Sequence, residues 1–344
     1  MNIGIIGCGK IAERHLAAYR HLGVEVTVYD ADPSASLRRS AEFGVGYKRT
    51  LEEVLESQVD AIDVCVPTAW HKEIVAAALE HDKHVFCEKP LCATLAEAGE
   101  IAQALSTHRR HLMVGYLYRF HPAFAYVQQL LEDETIGQPY FSLLRLGGRG
   151  DAAAWKHERA AGGGALLEMM VHQLDLAHWF FGALAEPRLL FQRILLPERI
   201  VNSASVAADA EDCVVASLRA GQVQALIEAD LATPSYMNHV EIQATNGSVF
   251  CSMLHYLPTQ VYCKDPRGMF DRGSTLRNFP AVNLFEKELG HFLAVIRGEC
   301  HAREDIDVSL NMLGVLDELR RQAGEQPSER RFEDLKSPVS GLPA

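Results

Sequence analysis

A glycine-rich turn near the N-terminus constrains the fold of this chain more than any other feature. Residues 2–6 are an apolar run that predicts a buried strand, and Gly7-Cys8-Gly9-Lys10-Ile11-Ala12 follows it directly. An amphipathic helix is predicted from there to about His21. In this G-x-G-x-x-A pattern the first glycine permits a tight turn, the second lets a pyrophosphate approach the backbone, and the small third residue lets the helix pack on the strand. The turn predicts a dinucleotide site at a helix N-terminus, contacted by Gly7, Gly9, Lys10 and Ile11.

Asp30 follows the second predicted strand, Glu25 to Tyr29. Its distance from the glycine turn, about twenty residues, is typical of the acidic residue that binds the adenosine ribose. A carboxylate there accepts hydrogen bonds from the ribose hydroxyls and repels a 2′-phosphate, so the predicted cofactor is NAD. Arg38 and Arg39 lie one to two helical turns further on and keep NADP as the alternative. A strand-end cap is the structural alternative for Asp30.

Strands and helices alternate from Asp30 to about Tyr118, which predicts a parallel sheet. Six strands in all complete a predicted Rossmann dinucleotide-binding domain, residues 1–118. The elements predicted after Asp30 are helix 33–43, strand 45–47, helix 51–56, strand 61–66, helix 71–80, strand 84–87, helix 95–105 and strand 112–115.

Polar residues follow two of these strands at the carboxyl edge, where open α/β sheets bind their ligands. Glu88-Lys89-Pro90 follows the strand that ends at Cys87, and a Pro turn leading into a helix follows the preceding long strand. The structural alternatives are a solvated loop charge for Lys89 and a helix N-cap for Thr68. We predict that the cofactor is contacted here by Pro67, Thr68, His71, Glu88 and Lys89.

The pattern of predicted secondary structure changes after Arg119-Phe120-His121-Pro122. A helix to about Glu132 precedes short β-rich runs, and Ala220-Gly221-Gln222 and Asn246-Gly247 indicate hairpins. Residues 119–344 therefore form a predicted α+β domain, whose mostly antiparallel sheet has one face covered by helices. A surface arm is predicted after Gln326. The predicted strands are 140–146, 214–218, 223–229, 240–244 and 249–253, and the late helices are 282–297 and 306–323.

Residues 162–182 predict a buried helix that begins after three glycines and ends at one. At roughly 100° per residue, a sector of about 60° holds Glu168, His172, Asp175 and Trp179, and nearly all other positions are apolar. Buried carboxyl and imidazole groups are costly unless they pair with each other, with a cation or with a ligand. We interpret the stripe as the lining of a cavity; a structural hydrogen-bond ladder is the alternative.

Composition narrows the class of protein. The length of 344 residues suggests two domains, and the net charge of -12 argues against nucleic acid as a partner, because phosphate binding requires a basic face. The apolar run at residues 3–6 is too short for a signal peptide or a membrane span, which predicts a cytoplasmic protein with no membrane partner. The eight cysteines lack C-x-x-C spacing and indicate reduced thiols, so no metal is predicted.

Together these motifs resemble the glucose-fructose oxidoreductase / inositol dehydrogenase / MocA-like (Gfo/Idh/MocA) family of NAD(P)-dependent oxidoreductases. The resemblance covers essentially the whole chain. It rests on the N-terminal glycine turn, Glu88-Lys89-Pro90, the segment from Gly115-Tyr116 to Arg119-Phe120 with Pro122, and the glycine-started helix with Glu168, His172 and Asp175. It implies an open antiparallel sheet in the second domain, NAD or NADP as cofactor, and sugars or cyclitols as substrates.

The resemblance also implies a catalytic pair, Lys89 and His172. We expect reversible hydride transfer in oxidation of a secondary alcohol, with His172 as general base and Lys89 polarising the oxygen or relaying the proton. Many members carry Asp where this chain has Glu168, which is predicted as a third catalytic residue. Its role is open between orienting His172 and reaching toward Lys89 or substrate.

Substrate hydroxyls are predicted to be bound by Tyr118, Arg119, Asp175 and the loop 145–159. Within that loop, a solvated segment is the alternative to contacts with an anionic group by Arg149, Trp155, Lys156, His157 and Arg159. A homodimer or homotetramer is expected. Two rival functions are an NAD-dependent glycosidase that acts through transient oxidation and a non-enzymatic nucleotide-binding sensor. The presence of both Lys89 and His172 argues against the sensor.

Overall fold

The structure is a computed structural model that describes residues 1–148, 153–234, 238–303 and 306–325. Within these residues the chain divides into two compact units. Unit 1 comprises Met1–Gly115 and Phe285–Ser309, and unit 2 comprises Tyr116–Leu284 and residues 310–325. The domain boundaries predicted from sequence, 1–118 and 119–344, did not include this return of the chain to unit 1. The predicted arm after Gln326 lies outside the described residues.

Unit 1 alternates strands and helices as predicted. Several predicted bounds agree with the structure, among them those of the second strand and of the helix that follows it. The elements are β1 (Asn2–Ile6), α1 (Lys10–His21), β2 (Glu25–Tyr29), α2 (Pro33–Phe43), β3 (Gly46–Tyr47), α3 (Leu51–Leu55), β4 (Ala61–Val64), α4 (His71–Glu80), β5 (His84–Cys87), α5 (Leu95–Thr107) and β6 (Leu112–Val114).

The unit 1 sheet has six parallel strands in the order β3-β2-β1-β4-β5-β6. This confirms the predicted Rossmann fold, in which the order reverses beside β1 and opens a crevice at the carboxyl ends of the strands. Ile3, Ile5 and Ile62 are fully buried, as expected for strands covered by helices on both faces. The capping box of Thr94 and Glu97 fixes the start of α5.

Unit 2 begins with α6 (Pro122–Glu132) and β7 (Pro139–Gly147). A π-helical segment, Leu166–Met170, runs directly into α7 (Val171–Phe181). The strands that follow are β8 (Leu184–Arg193), β9 (Glu198–Val201), β10 (Ala204–Ala207), β11 (Cys213–Ala220), β12 (Val223–Asp230), β13 (His239–Ala244), β14 (Gly247–Cys251), β15 (Thr259–Cys263) and β16 (Gly273–Arg277).

The large sheet of unit 2 has eight strands in the order β16-β15-β14-β13-β7-β12-β11-β8. Only the β12–β7 pair is parallel, so the predicted mostly antiparallel sheet is confirmed. Both predicted hairpins form, between β11 and β12 and between β13 and β14. Strands β8, β9, β10, β15 and β16 were not predicted. On β7 the side chains of Ser142, Leu144 and Leu146 are buried and their neighbours Leu143 and Arg145 are half-buried, so one face of the sheet is covered.

Two helices follow the sheet, α8 (Leu284–Ile296) and α9 (Ile306–Gln322), close to their predicted bounds. Within unit 1, the ring of Phe292 on α8 packs edge-on against Phe86, with centroids 5.5 Å apart. A helix that could cross a bilayer would have to be both long and strongly apolar, and the described part of the chain has none.

Candidate active site

The glycine turn after β1 has the geometry that dinucleotide binding requires. Gly7 has a φ of +96°, and a Cβ placed there would lie 2.7 Å from the backbone carbonyl of Cys65. Only glycine therefore fits this turn. A Cβ added at Gly9 would meet nothing within 4 Å, so open space lies beside this backbone at the start of α1. Ala12 is fully buried. The turn thus fits the pyrophosphate of a dinucleotide, held by the first N–H groups of α1.

Asp30 lies at the end of β2 beside this turn. Its carboxylate accepts hydrogen bonds from the N–H of Cys8 at 2.7 Å and from that of Asp32 at 2.8 Å. Arg39, the candidate ligand for a 2′-phosphate, is already engaged: its guanidinium lies 2.6 Å from Glu42 and 2.9 Å from Glu13. Arg38 is exposed.

The turn after β4 carries three predicted cofactor contacts. Thr68 begins a 3₁₀ turn and is buried, whereas the N-cap of α4 is Trp70; the alternative of Thr68 as a helix cap is therefore wrong. The ring nitrogens of His71 lie 2.8 Å from the carbonyl oxygen of Pro90 and 2.9 Å from that of Val66, and burial lowers its pKa. His71 thus ties two turns of the carboxyl edge together. Cofactor contacts of Pro67, Thr68 and His71 remain predictions.

Glu88 and Lys89 follow β5 at the same edge of the sheet. Lys89 is half-buried, and the bond between Lys89 and Pro90 is cis. Glu88 Oε1 lies 3.1 Å from Nε2 of His15, a fully buried residue of α1 that sequence reasoning missed. Burial opposes ionisation of Glu88, but the hydrogen bond and charge of His15 outweigh it and lower the pKa of this carboxyl. A histidine on the apolar face of an amphipathic helix was the signal in the sequence.

The helix predicted after the glycine triplet of unit 2 forms and ends at Gly182, but its first segment is not regular α-helix, contrary to prediction. Gly162 and Gly164 have φ values of +82° and +106°, and the helix begins at Leu166 as a π-helical segment. The turn is tightly packed, because a Cβ on Gly163 would lie 2.5 Å from the backbone of Lys156, and one on Gly164 would lie 2.4 Å from Glu211. Since i→i+5 bonding widens a turn, the angles assumed for the polar stripe do not hold before Val171.

Glu168 is held by a residue from the preceding loop. Lys156 Nζ lies 2.5 Å from Glu168 Oε2 in an ion pair, and the Glu168 side chain is 3% exposed. The predicted contact of Glu168 with His172 stays a prediction, as does its catalytic role.

Two other residues of the stripe contact the segment that precedes α6. Arg119 donates to Asp175 at 2.7 and 2.9 Å, and both side chains are buried. Burial raises the pKa of Asp175, although the Arg119 guanidinium opposes the shift. The ring of Tyr118 lies 4.6 Å from that of the half-buried His172. The stripe therefore brings together the predicted substrate residues Tyr118, Arg119 and Asp175 with His172.

The loop 145–159 is only partly described, and Arg149 lies outside the described residues. Lys156 Nζ lies 5.4 Å from the centre of the Trp155 ring. His157 is buried, and its carbonyl oxygen accepts from the N–H groups of Asp209 and Ala210. Arg159 pairs with Glu325. Roles of these residues in substrate binding remain predictions.

A small cleft in unit 2 adjoins Tyr118 and was not foreseen. Its polar lining includes Arg145, Gln173, Asn238 and His239. The Gln173 amide donates to the carbonyl oxygens of Leu144 and Glu228, which fixes α7 on the sheet. The sequence does not identify these positions, because the alternating pattern of a strand does not show which other elements its side chains pack against.

Unit 1 has the architecture of proteins that bind a nicotinamide dinucleotide. Comparison with protein families agrees: residues 1–116 match the model described as oxidoreductase family, NAD-binding Rossmann fold, and residues 124–250 match the GFO/IDH/MocA C-terminal domain. The chain belongs to the Gfo/Idh/MocA oxidoreductase family. The resemblance inferred from the motifs is thereby confirmed.

Relatives with known activities are distant. The chain is 28% identical over 278 residues to myo-inositol 2-dehydrogenase of Thermotoga maritima, covering 80% of each protein. It is 25% identical over 290 residues to levoglucosan dehydrogenase of Pseudarthrobacter phenanthrenivorans, covering 72% of this chain and 73% of that protein. A solved structure of levoglucosan dehydrogenase in complex with NADH has a TM-score of 0.84 at 21% identity, covering 94% of this chain and 97% of the other. This structural similarity supports the fold.

Proposed function

We propose that this protein catalyses reversible oxidation of a secondary alcohol of a neutral polyol, cyclitol or anhydro-sugar, with NAD as the cofactor. NAD, when bound, accepts or returns the hydride. The observation that carries the proposal is the position of Lys89, half-buried directly after β5 at the carboxyl edge of an NAD-binding Rossmann sheet. His172 accepts the hydroxyl proton during oxidation, and Lys89 polarises the substrate oxygen.

The charges in unit 2 support a neutral substrate rather than a uronate or a phosphate ester. Each described lysine or arginine among the predicted substrate residues has a carboxylate partner: Lys156 pairs with Glu168, Arg119 with Asp175 and Arg159 with Glu325. An anionic substrate would have to displace one of these carboxylates, at the cost of leaving a buried charge uncompensated. The names of the relatives, inositol and levoglucosan dehydrogenases, point to neutral substrates as well.

The surroundings of the glycine turn support NAD over NADP. The Asp30 carboxylate would repel a 2′-phosphate, and the charge of Arg39 is balanced by Glu13 and Glu42. Roles for Lys10 and Ile11 rest on their position at the start of α1.

The test is a screen for NADH formation, followed at 340 nm, across cyclitols, polyols, anhydro-sugars, uronates and sugar phosphates. We expect turnover with a neutral compound and NAD, and stoichiometric release of NADH. Release of NADH would also exclude a glycosidase that oxidises its substrate only transiently. Turnover confined to uronates or phosphates would refute the neutral substrate, and NADH binding without any turnover would favour the sensor.

We infer that the protein associates with itself. Strand β8 is a long edge strand of the large sheet, and the segment around it exposes six large apolar side chains. Such a group of exposed apolar side chains favours burial against a second copy. Light scattering tests this: Leu195→Glu should dissociate the oligomer, and a monomeric wild-type protein would refute it. These side chains are Leu190, Phe191, Ile194, Leu195, Leu196 and Ile200.

We also infer a reducing compartment, as in the cytoplasm. All eight cysteines are free thiols, and only Cys300 is exposed. Free buried thiols are typical of proteins kept in a reducing environment. A thiol titration of the unfolded protein, purified without reductant, should count every cysteine as free.

A further inference from the structure

A buried histidine on α1 joins two carboxylates that belong to neighbouring strands of unit 1. His15 Nδ1 lies 2.8 Å from Asp63 Oδ2, and His15 Nε2 lies 3.1 Å from Glu88 Oε1. Carboxylate oxygens accept hydrogen bonds, so a ring that faces a carboxylate at each nitrogen donates from both. His15 is therefore an imidazolium held between two anions.

The surroundings of His15 favour this charge. Burial favours the neutral ring, but the Asp63 carboxylate outweighs it and raises the pKa of His15 well above its usual value. The rings of Phe86 and Phe285 lie 5.6 and 5.5 Å from the imidazole. Such apolar walls strengthen the attraction between the buried charges.

The same cluster could be read as a metal site, because ligand atoms of His15, Asp63 and Cys65 lie within 4.8 Å of one another. Its hydrogen bonds argue otherwise. Cys65 Sγ lies 3.3 Å from Asp63 Oδ1, and burial raises the pKa of this thiol, so it stays protonated and donates to the carboxylate. Metal binding would require the thiolate.

Glu88 connects this network to the next residue in the chain. One of its carboxylate oxygens faces His15, and the other accepts a hydrogen bond from the backbone N–H of Lys89 at 3.2 Å. Because both oxygens are engaged, the carboxylate cannot rotate without breaking one of these bonds. The peptide that carries Lys89 is therefore held by Glu88, and Glu88 is held by His15.

We propose that His15 is a positioning residue for Lys89. It keeps Glu88 ionised and in place, and its positive charge offsets the effect of the Glu88 carboxylate on Lys89. This inference rests on the catalytic role proposed for Lys89. The charged or titratable groups around His15 are Tyr19 on α1, Asp63 and Cys65 at the end of β4, and Glu88; Glu288 on α8 acts on Tyr19. Lys89 is influenced by Glu88 and His71.

The test replaces His15 by glutamine and measures the protonation of Lys89 directly. Labelling with acetic anhydride across a pH series, read by mass spectrometry of the peptide that contains Lys89, gives the apparent pKa of the lysine. Without the imidazolium, the Glu88 carboxylate favours the ammonium form, so the pKa of Lys89 in His15→Gln should rise by about one unit. The value of kcat/KM should fall about tenfold, which is less than the ~10²–10⁴ expected for an acid-base group itself, while NADH affinity stays within about threefold.

His21→Gln is the matched control, because His21 lies on the same helix with its side chain 64% exposed. It should change neither labelling nor kinetics. The double variant His15→Gln/Glu88→Gln removes both charges and should return the pKa of Lys89 to its wild-type value or lower it. If His15→Gln does not fold, Glu88→Gln alone should lower the pKa of Lys89.

An unchanged labelling profile in the folded variants would overturn the proposal, and so would a stoichiometric metal ion in the purified protein. A purely structural role for His15 would lower stability without moving the Lys89 profile. Full turnover in Lys89→Ala would refute the proposed function instead, whatever the labelling showed. The two failures are thus distinguishable.

Discussion

Lys156 and Glu168 form an ion pair between the loop before the glycine triplet and the π-helical segment, with Nζ and Oε2 2.5 Å apart. The Glu168 side chain is 3% exposed, whereas that of Lys156 is 28% exposed. The two partners are therefore unequal: the carboxylate is buried, whereas the ammonium also reaches solvent.

This inequality predicts an asymmetric double-mutant cycle. Lys156→Met should lower the free energy of unfolding by about 2 kcal/mol, because it removes the cation that is paired with a buried carboxylate. Glu168→Gln should cost less, and the double variant should recover most of the loss. Urea unfolding measures all three. Equal, additive losses in the single variants would show that the pair contributes no coupling.

Lys89→Ala should lower the single-turnover hydride rate by about 10² or more, while NADH affinity changes by no more than about threefold. Stopped-flow fluorescence of NADH measures both. Lys264→Met is the control, because Lys264 is exposed and directly follows β15. This variant should behave as wild type. Unchanged hydride transfer in Lys89→Ala would show that Lys89 is a solvated charge without a catalytic role.

Asp30→Asn should weaken NAD and improve the relative use of NADP, because it removes the charge that repels a 2′-phosphate. Asparagine keeps an oxygen that accepts from the N–H of Cys8, so the glycine turn should survive. Dissociation constants for both cofactors measure the change. Asp30→Ala removes that acceptor as well and should bind both cofactors less tightly than Asp30→Asn. Wild-type protein that binds NADP tenfold more tightly than NAD would contradict our interpretation.

His84 should make the protein less stable in mild acid. Burial, with the charge of Arg110, lowers the pKa of His84 to about 4, and its Nδ1 accepts a hydrogen bond from the N–H of His111. The unfolded chain binds this proton near the usual pH 6.5 and the folded protein does not, so stability is lost as pH falls from about 6.5 towards 4. His84→Gln keeps an acceptor and should show a smaller fall in Tm between pH 7 and pH 5. Identical falls in the variant and wild type would contradict this prediction.

Much of unit 1 was predictable because its signals are local. Each parallel strand is a short apolar run followed by a turn, and the glycine turn, Asp30 and Lys89 all follow such runs. His15 was missed because its partners are distant: Asp63 and Glu88 lie 48 and 73 residues further along the chain. The local pattern shows only that His15 lies on the apolar face of α1, and it does not identify these partners.

Unit 2 was predictable only where its strands alternate. β11 and β12 bury every second residue and were found, but β16 is almost wholly exposed and β8 exposes Leu190 and Phe191, so neither shows the expected alternation. The angles predicted for the polar stripe were wrong for a different reason. They assumed a regular helix through Glu168, whereas the segment Leu166–Met170, which follows the tightly packed turn of Gly163 and Gly164, is π-helical.

Because α8 belongs to unit 1, the order of the elements along the chain affects how unit 1 folds during synthesis. Phe285 covers the imidazole of His15, and Phe292 covers Phe86, so part of the core around β5 is supplied from near the other end of the chain. A ribosome that has released only the first 118 residues has delivered every strand of the Rossmann sheet and helices α1–α5, but not Phe285 and Phe292. His15 and Phe86 therefore lack these two ring contacts until the 169 residues Tyr116–Leu284 of unit 2 have been translated.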